Sequence, residues 1–416
     1  MLDVEYREPP RRAFAVVVFT EFICKLSFMS IIPSAPDYVK ALGGNDSDLF
    51  ASVVIAASAC VSGLMSFPLW WLHKRAPLRV ILLVWCAAEA TANLLYAAAG
   101  PLLSRWLLLI ARVLSGLFSG PLQMAVYLSR STGLRHRSAY MVLSTSSVAM
   151  GYVLGPVLTI VFNRLWPRLP NQEVAFDGFS LNAFTAPGWV LVPLSILNMV
   201  LILTAFDEPE RGVLDAASAE AEVPVSFKSR CPVSAWAVCL CGLFITQMNF
   251  SAWYTFTTDQ LVRNWGWSLS VVCGYVAVLM FVLVCLSYVG SLMAVQVADR
   301  SGMIASSALE TIGLVIIWYS DRHCILYSVG SVVLLGSNEL LRGFTWSLAS
   351  KVSAPRFLQA VLAMNSLVSM LGLGVGVLLG SLLQEETILF VCLFICMACT
   401  AVVTAMSYPI LVPYVL

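Results

Sequence analysis

Gly151-Tyr152-Val153-Leu154-Gly155-Pro156 sits inside a long apolar run. Beginning 221 positions later, Gly372-Leu373-Gly374-Val375-Gly376 sits inside another. Glycines four apart let two helix backbones approach closely, and the proline bends its helix. The same offset maps Arg135 to Arg356, Ala139 to Ala360 and Glu89 to Glu310. One helical plan is therefore carried twice. That is the mark of a duplicated membrane bundle, and such bundles usually move something across a bilayer.

Composition agrees. The 416 residues are 59% hydrophobic and 11% charged, whereas soluble domains carry roughly a quarter charged residues. Mean hydropathy is +0.86. The formal net charge of +1 gives nucleic acid no electrostatic footprint to bind. Most cysteines lie inside apolar runs, and Cys392, Cys396 and Cys399 form a helical stripe. They read as small packing residues rather than metal ligands or a disulfide framework. His73, His136 and His323 are scattered, with no metal spacing and no nucleophile motif beside them. No enzyme activity, metal or cofactor is expected. The first apolar run follows Arg11 and Arg12 and is long enough to span, so no cleavable leader is expected.

A spanning helix needs about 20 apolar residues. Spans fall near 13–36, 49–72, 78–99, 103–128, 138–162 and 188–206, then 233–258, 270–297, 303–320, 323–348, 357–383 and 387–408. The fold class is thus all-α and polytopic, with twelve transmembrane helices in two pseudo-symmetric six-helix bundles. The bundles cover 13–206 and 233–408, with tails at 1–12 and 409–416. The connection 207–232 is rich in Asp, Glu, Ala and Ser and reads as a flexible linker. Arg7, Arg11, Arg12, Lys74, Arg75, Arg79, Arg130, Arg135, Arg137, Arg211, Lys228, Arg230, Arg300, Lys351 and Arg356 all fall on one side of this plan. The other side has Lys40, Arg105, Arg164, Arg168, Arg263 and Arg322. The bias puts both termini in the cytosol. The loop 163–187 and the glycosylation sequon at Asn45 then face away from it.

Charges inside spans are costly and mark sites or structural pairs. Arg112 begins Arg112-x-x-x-Gly116-x-x-x-Gly120 in the fourth span. It can serve a structural ion pair, a substrate or proton coupling. Glu21 and Lys25, four apart in the first span, share a helix face and can pair, or be separated by a ligand. Glu339 and Arg342, three apart in the tenth, can also pair. Gln123, Gln247 and Asn249 add hydrogen-bonding capacity, with helix glue as the alternative. Glu89 and Glu310 can carry protons or bond neighbouring polar groups. Asp299-Arg300-Ser301-Gly302 places an acid and a base at a tight turn, where they can tie helix ends and brace one conformation.

These pieces together resemble the major facilitator superfamily. Asp299-Arg300-x-Gly302 is similar to its signature between the second and third helices of each half. Arg112-x-x-x-Gly116 is similar to its fourth-helix motif, and Gly151-x-x-x-Gly155-Pro156 to its fifth-helix motif. The first-half loop, Trp70-Trp71-Leu72-His73-Lys74-Arg75-Ala76-Pro77-Leu78, lacks the signature aspartate. That loop, Leu181-Asn182-Ala183-Phe184-Thr185-Ala186-Pro187-Gly188-Trp189 and Asn93-Leu94-Leu95-Tyr96 resemble two related groups. One contains the lysosomal ceroid-lipofuscinosis type transporters, the other the SPX-domain vacuolar phosphate transporters. No SPX domain is expected ahead of the first span. The stretch Pro121-Leu122-Gln123-Met124-Ala125-Val126-Tyr127 also lacks the extra arginines of phosphate carriers. What the lysosomal resemblance implies is an endolysosomal or vacuolar membrane, with the plasma membrane as the alternative, and anion permeation.

The expectation is a secondary transporter moving a small anion or small organic solute by alternating access, with Arg112 as the main charge contact. Its partners are that solute and the lipid bilayer, with no nucleic acid, and the chain is expected to be monomeric. An anion channel on the same fold and a non-transporting receptor or scaffold are the alternatives. The charges at the site do not repeat: at the 221-residue offset Arg112 falls on Val333, Glu21 on Gly242 and Lys25 on Thr246. A shared scaffold with an asymmetric site follows.

Overall fold

A computed structural model describes residues 7–43, 47–166, 181–209, 233–293, 296–320, 323–353, 355–383, 386–409 and 411. Asn45, Arg168, Arg322, most of the 163–187 loop, and Arg211, Lys228 and Arg230 in the linker lie outside the described residues. So do the tail positions 1–6 and 412–416, and the side chains of Arg135 and Arg356.

The first half comprises α1 (Arg11–Ile31), α2 (Ala35–Ala41), α3 (Ser47–His73), α4 (Leu78–Ala98), α5 (Arg105–Gly116), α6 (Leu122–Ser131), α7 (Leu134–Leu165) and α8 (Ala186–Ala205). The second comprises α9 (Val233–Arg263), α10 (Leu269–Met293), α11 (Asp299–Trp318), α12 (Cys324–Val352), α13 (Pro355–Leu382) and α14 (Glu386–Met406). The first crossing runs through a 3-10 turn at Ile32–Ser34, where Pro33 interrupts the α-helical ladder, and on into α2. Among the described residues, 11 helices are long and apolar enough to cross a membrane.

The remaining crossing differs from the sequence expectation. The fourth span, read as one helix over 103–128, is broken into α5 and α6. At 12 and 10 residues, the halves reach roughly 18 Å and 15 Å at about 1.5 Å per residue. A bilayer core is about 30 Å thick, so neither crosses alone. Gly120 takes a φ of +126° at the break, and Pro121 follows with no N–H to continue the ladder. Freed carbonyls at membrane depth need partners. Ser62 Oγ donates to the Ser119 carbonyl at 2.7 Å, and Gln123 Nε2 donates to the Phe118 carbonyl at 2.6 Å.

The glycine echo is a packing echo. A methyl group on Gly151 would lie 2.9 Å from the Phe22 carbonyl oxygen, and one on Gly155 would lie 2.5 Å from Met29 Cβ, so α7 is pressed onto α1. At the matching places, Gly372 meets Phe244 and Gly376 meets Met248 and Ser251, pressing α13 onto α9. These same two helices also cross to the other half, α7 onto α10 and α13 onto α3. The glycine helices thus form the inter-bundle seam. Outer faces remain apolar, with Leu64, Val278, Leu292 and Ile325 exposed, as lipid contact requires.

The two motifs of the subgroup resemblance have structural work. Asn93 accepts from Ser27 Oγ at 3.1 Å and donates to Glu89 Oε1 at 3.3 Å, tying α1 to α4. Asn182 Oδ1 accepts from the Phe184 and Thr185 amides at 2.9 and 3.0 Å, fixing the entry to α8. Tyr38 stacks on Phe184 at 5.1 Å between ring centroids and meets Tyr96 edge-on at 5.4 Å.

Candidate functional site

Arg11, Arg79, Arg130, Arg137, Arg300 and Lys351 all lie at one end of the helices, the basic end. There the seam is closed. Ser138, near the start of α7, donates to Asp299 Oδ1 at 2.9 Å. Lys351 Nζ donates to Ser138 Oγ at 2.7 Å and pairs with Asp299 Oδ2 at 2.8 Å. Ser347 adds a 3.1 Å bond to the same carboxylate. Asp299 and Lys351 belong to one bundle and Ser138 to the other, so the acid at this turn does join the halves. Gly302 keeps α11 against the ring of Phe344, and Arg300 lies over the Tyr408 ring at 4.3 Å. A second cross-bundle contact, Ser66 Oγ to Ser366 Oγ at 2.9 Å, joins α3 to α13.

At the opposite end a cavity of about 460 Å³ lies between the halves. Pro33, Asp37 and Lys40 line it from one side and Thr255, Asp259 and Arg263 from the other. Asp259 and Arg263 pair at 2.6 Å, both half-exposed. Exposed pairs of this kind contribute little to stability.

Two smaller recesses lie deeper. The first, about 50 Å³, is lined by Glu21 and Lys25 of α1, Met124 of α6, Thr145 and Val148 of α7, Arg342 and Trp346 of α12, and Met370 of α13. The second, about 20 Å³, is lined by Arg112 with Ser58, Ser62, Ser115, Ser119 and Gly120, and again by Lys25. Lys25 is shared by both. The helix break at Gly120 opens the wall of the second.

Arg112 is 3% exposed. It donates to Ser58 Oγ at 3.2 Å and sits over the Phe28 ring at 5.8 Å. Its Nε has no hydrogen-bond partner. Glu89 lies within electrostatic range of Arg112, and its Oε2 accepts from Ser115 Oγ at 2.7 Å. Glu89 is thus a counter-charge held behind the serine-lined recess. Gly116, whose added methyl would lie 2.5 Å from the Ser58 carbonyl oxygen, holds α5 against α3 so that these hydroxyls surround the guanidinium.

The sequence pairs resolve differently. Arg342 bonds Glu339 Oε2 directly, as their spacing suggests. Glu21 and Lys25 do not form a direct ion pair. Glu21 feels Lys25 and, across the seam, Arg342, and its Oε1 has no hydrogen-bond partner although the residue is 3% exposed. The four charges form one cross-bundle cluster, with Glu339 also within range of Lys25.

Gln123, Gln247 and Asn249 fall outside this group. Gln123 braces the break in the fourth crossing. Asn249 donates to Glu310 Oε1 at 2.9 Å, and Asn338 donates to the same oxygen at 3.3 Å. Gln247 is buried, with both amide atoms unpartnered, and lines none of these three cavities. Glu89 and Glu310 line none of them either. The hydroxyls around Arg112 and the latch partners Ser138 and Lys351 were not among the sequence candidates. A signal for the former existed: Ser58, Ser62 and Ser66 recur every four residues, as do Ser115 and Ser119. Among the described residues no group of His, Cys, Asp or Glu could hold a metal ion.

The broken fourth crossing, the glycine-pressed seam and the inter-bundle charges define a multi-pass integral membrane protein of the twelve-helix, two-bundle class. The Major Facilitator Superfamily pattern matches residues 17–376, and the chain belongs to that family. It is 25% identical over 267 residues to major facilitator superfamily domain-containing protein 8 of Xenopus laevis, across 61% of this chain and 51% of that protein. It is 28% identical over 194 residues to an SPX domain-containing membrane protein of Arabidopsis thaliana, across 47% of this chain and 26% of that protein. The chain spans about half or less of the length of these curated relatives. The human organic anion transporter MFSD10 (TETRAN) shares the fold with a TM-score of 0.73 at 14% identity, covering 95% of this chain and all of that one. FucP in the outward conformation has a TM-score of 0.64 at 13% identity, covering 94% and 99%.

Proposed function

We propose that this protein is a secondary transporter that moves a small solute, an anion or small organic molecule, by alternating access. What supports this above all is the division of the seam. Cross-bundle bonds of Ser138, Asp299 and Lys351 close the basic end, a cavity of about 460 Å³ lies at the other, and buried charges stand between. A carrier needs these features, with the two ends exchanging roles as the bundles rock. Family membership and the relatives' names support transport as the activity.

Arg112 and Lys25 are the charge contacts for the anionic part of the solute, with Glu21, Glu339 and Arg342 as the coupling and gating group. A recess of about 20 Å³ holds one water-sized group or a single small ion, since one water needs about 10–15 Å³ in this measure. Both termini face the cytosol, the bundles span 13–206 and 233–408 with 207–232 linking them, and the chain works as a monomer in an endolysosomal or vacuolar-type membrane. The charge bias of the loops and the lysosomal-type resemblance support that placement.

The test is solute counterflow in vesicles reconstituted with the purified chain, with anions screened singly, beside planar-bilayer currents. Counterflow that disappears in Arg112→Ala is the expected result. An Arg112→Ala protein with unchanged uptake and affinity would remove the site assignment, and current without counterflow would favour a channel.

A further inference from the structure

The recess beside the Arg112 niche has a property of its own: it presents Glu21 and Lys25, with no direct bond between them, against a mostly apolar wall. Arg342 is engaged by Glu339. Glu21 keeps an unpartnered, buried Oε1, and Lys25 reaches the recess from one helical turn away without a direct bond to Glu21. Side chains four apart on a helix stand about 5–6 Å apart at Cβ. Met124, Val148, Trp346 and Met370 supply the wall. An anion placed here would face Glu21. A cation would face Lys25 and Arg342. A molecule carrying both charges on substituents of one carbon, with a small apolar body, matches Glu21 and Lys25 together, and buried charges left unmatched are costly.

We propose that this recess binds a small zwitterion of amino-acid type, its carboxylate on Lys25 and its ammonium on Glu21. The site is distinct from the niche around Arg112, and the shared Lys25 makes occupancy of the two interdependent. The proposal rests on the transporter reading for its place in a cycle, though not for the binding itself. A volume of about 50 Å³ holds roughly three to five water-sized groups, which limits the ligand to the smallest amino acids.

The test compares three near-isosteres on the purified full chain in lipid nanodiscs: L-alanine, propionate without the ammonium, and alaninamide without the carboxylate. Binding is read by displacement of radiolabelled L-alanine. L-alanine is expected to bind at least about tenfold more tightly than either partner molecule, the size of one charge-assisted hydrogen bond. Glu21→Gln should abolish that preference over propionate, and Lys25→Gln the preference over alaninamide. The wild-type comparison needs no variant, so a misfolded substitution does not spoil it. Absence of L-alanine binding, propionate binding as tightly as L-alanine, or a Glu21→Gln protein with unaltered preference would each overturn the proposal. Counterflow of another solute without L-alanine binding would overturn this proposal and leave the transporter reading standing. L-alanine binding with no counterflow of any solute would do the reverse.

Discussion

Ser138→Ala should open the basic end without damaging the fold. The hydroxyl lost makes both charge-assisted bonds across the latch, donating to Asp299 at 2.9 Å and accepting from Lys351 at 2.7 Å. Asp299 and Lys351 are left paired with each other at 2.8 Å, and Asp299 keeps Ser347 at 3.1 Å. No buried charge is orphaned, so the large penalty for breaking an ion pair does not apply. In the open state the same groups are hydrated, so each lost bond counts at its net value for a charged partner, about 1.5–3 kcal/mol. Two of them shift the equilibrium by about 3–6 kcal/mol. At 1.4 kcal/mol per factor of ten, that is roughly a 10²- to 10⁴-fold rise in the open-to-closed ratio at the basic end. Hydrogen–deuterium exchange over 138–148 and 343–352 reads the change, since local opening governs exchange there. Faster exchange in both segments is expected, with a fall in melting temperature limited by the folded open state. Unchanged exchange in both would refute the claim that this contact holds the basic end shut.

Gly155→Ala places a methyl 2.5 Å from Met29 Cβ and 2.8 Å from the Met29 carbonyl carbon; overpacking of this kind costs about 1–3 kcal/mol, visible as a lower melting temperature in detergent. Glu310→Gln keeps an oxygen for Asn249 and Asn338, which both donate to Oε1, so stability should fall by less than about 1 kcal/mol and transport should persist, whereas Glu310→Ala should cost about 1–3 kcal/mol. A transport loss in Glu310→Gln with normal stability would contradict a purely hydrogen-bonding role for this carboxylate. Gln123→Ala should destabilise the break by about 1 kcal/mol, measured by thermal melting, and weaken binding little, since its amide serves the Phe118 carbonyl rather than a ligand.

The fold was legible because membrane physics leaves few options. Apolar runs of spanning length must be helices, and the repeated glycines marked the seam that Gly151, Gly155, Gly372 and Gly376 form. The break at Gly120 was not legible. Apolar residues surround it, and only a positive φ at glycine, followed by proline, separates it from an ordinary continuous span. The site was half legible. Charges in apolar runs announce themselves by cost, so Arg112, Glu21, Lys25, Glu339 and Arg342 stood out. Which of them face a cavity depends on rotation about each helix and on contacts across the seam. Hence the amides Asn249 and Gln123 stand in the sequence as ligand contacts or helix glue alike, and only the structure bonds Asn249 to a buried carboxylate and Gln123 to a freed carbonyl. Serines are common helix glue, so the hydroxyls around Arg112 carried little signal by themselves.

Alternating access is the central claim, and Ser66 and Ser366 allow it to be tested directly. Their hydroxyl oxygens lie 2.9 Å apart across the seam, one on α3 and one on α13, a spacing that two sulfurs bonded at about 2.05 Å can occupy with small adjustment. The measurement is solute counterflow by Ser66→Cys/Ser366→Cys in vesicles, oxidised and then reduced, beside the unsubstituted protein treated identically. The account predicts that the cross-link stops counterflow and that reductant restores it, because a bundle pair that cannot part here cannot expose the site at the basic end. Equal counterflow in the oxidised and reduced protein, with the cross-link verified by mass spectrometry, would contradict it.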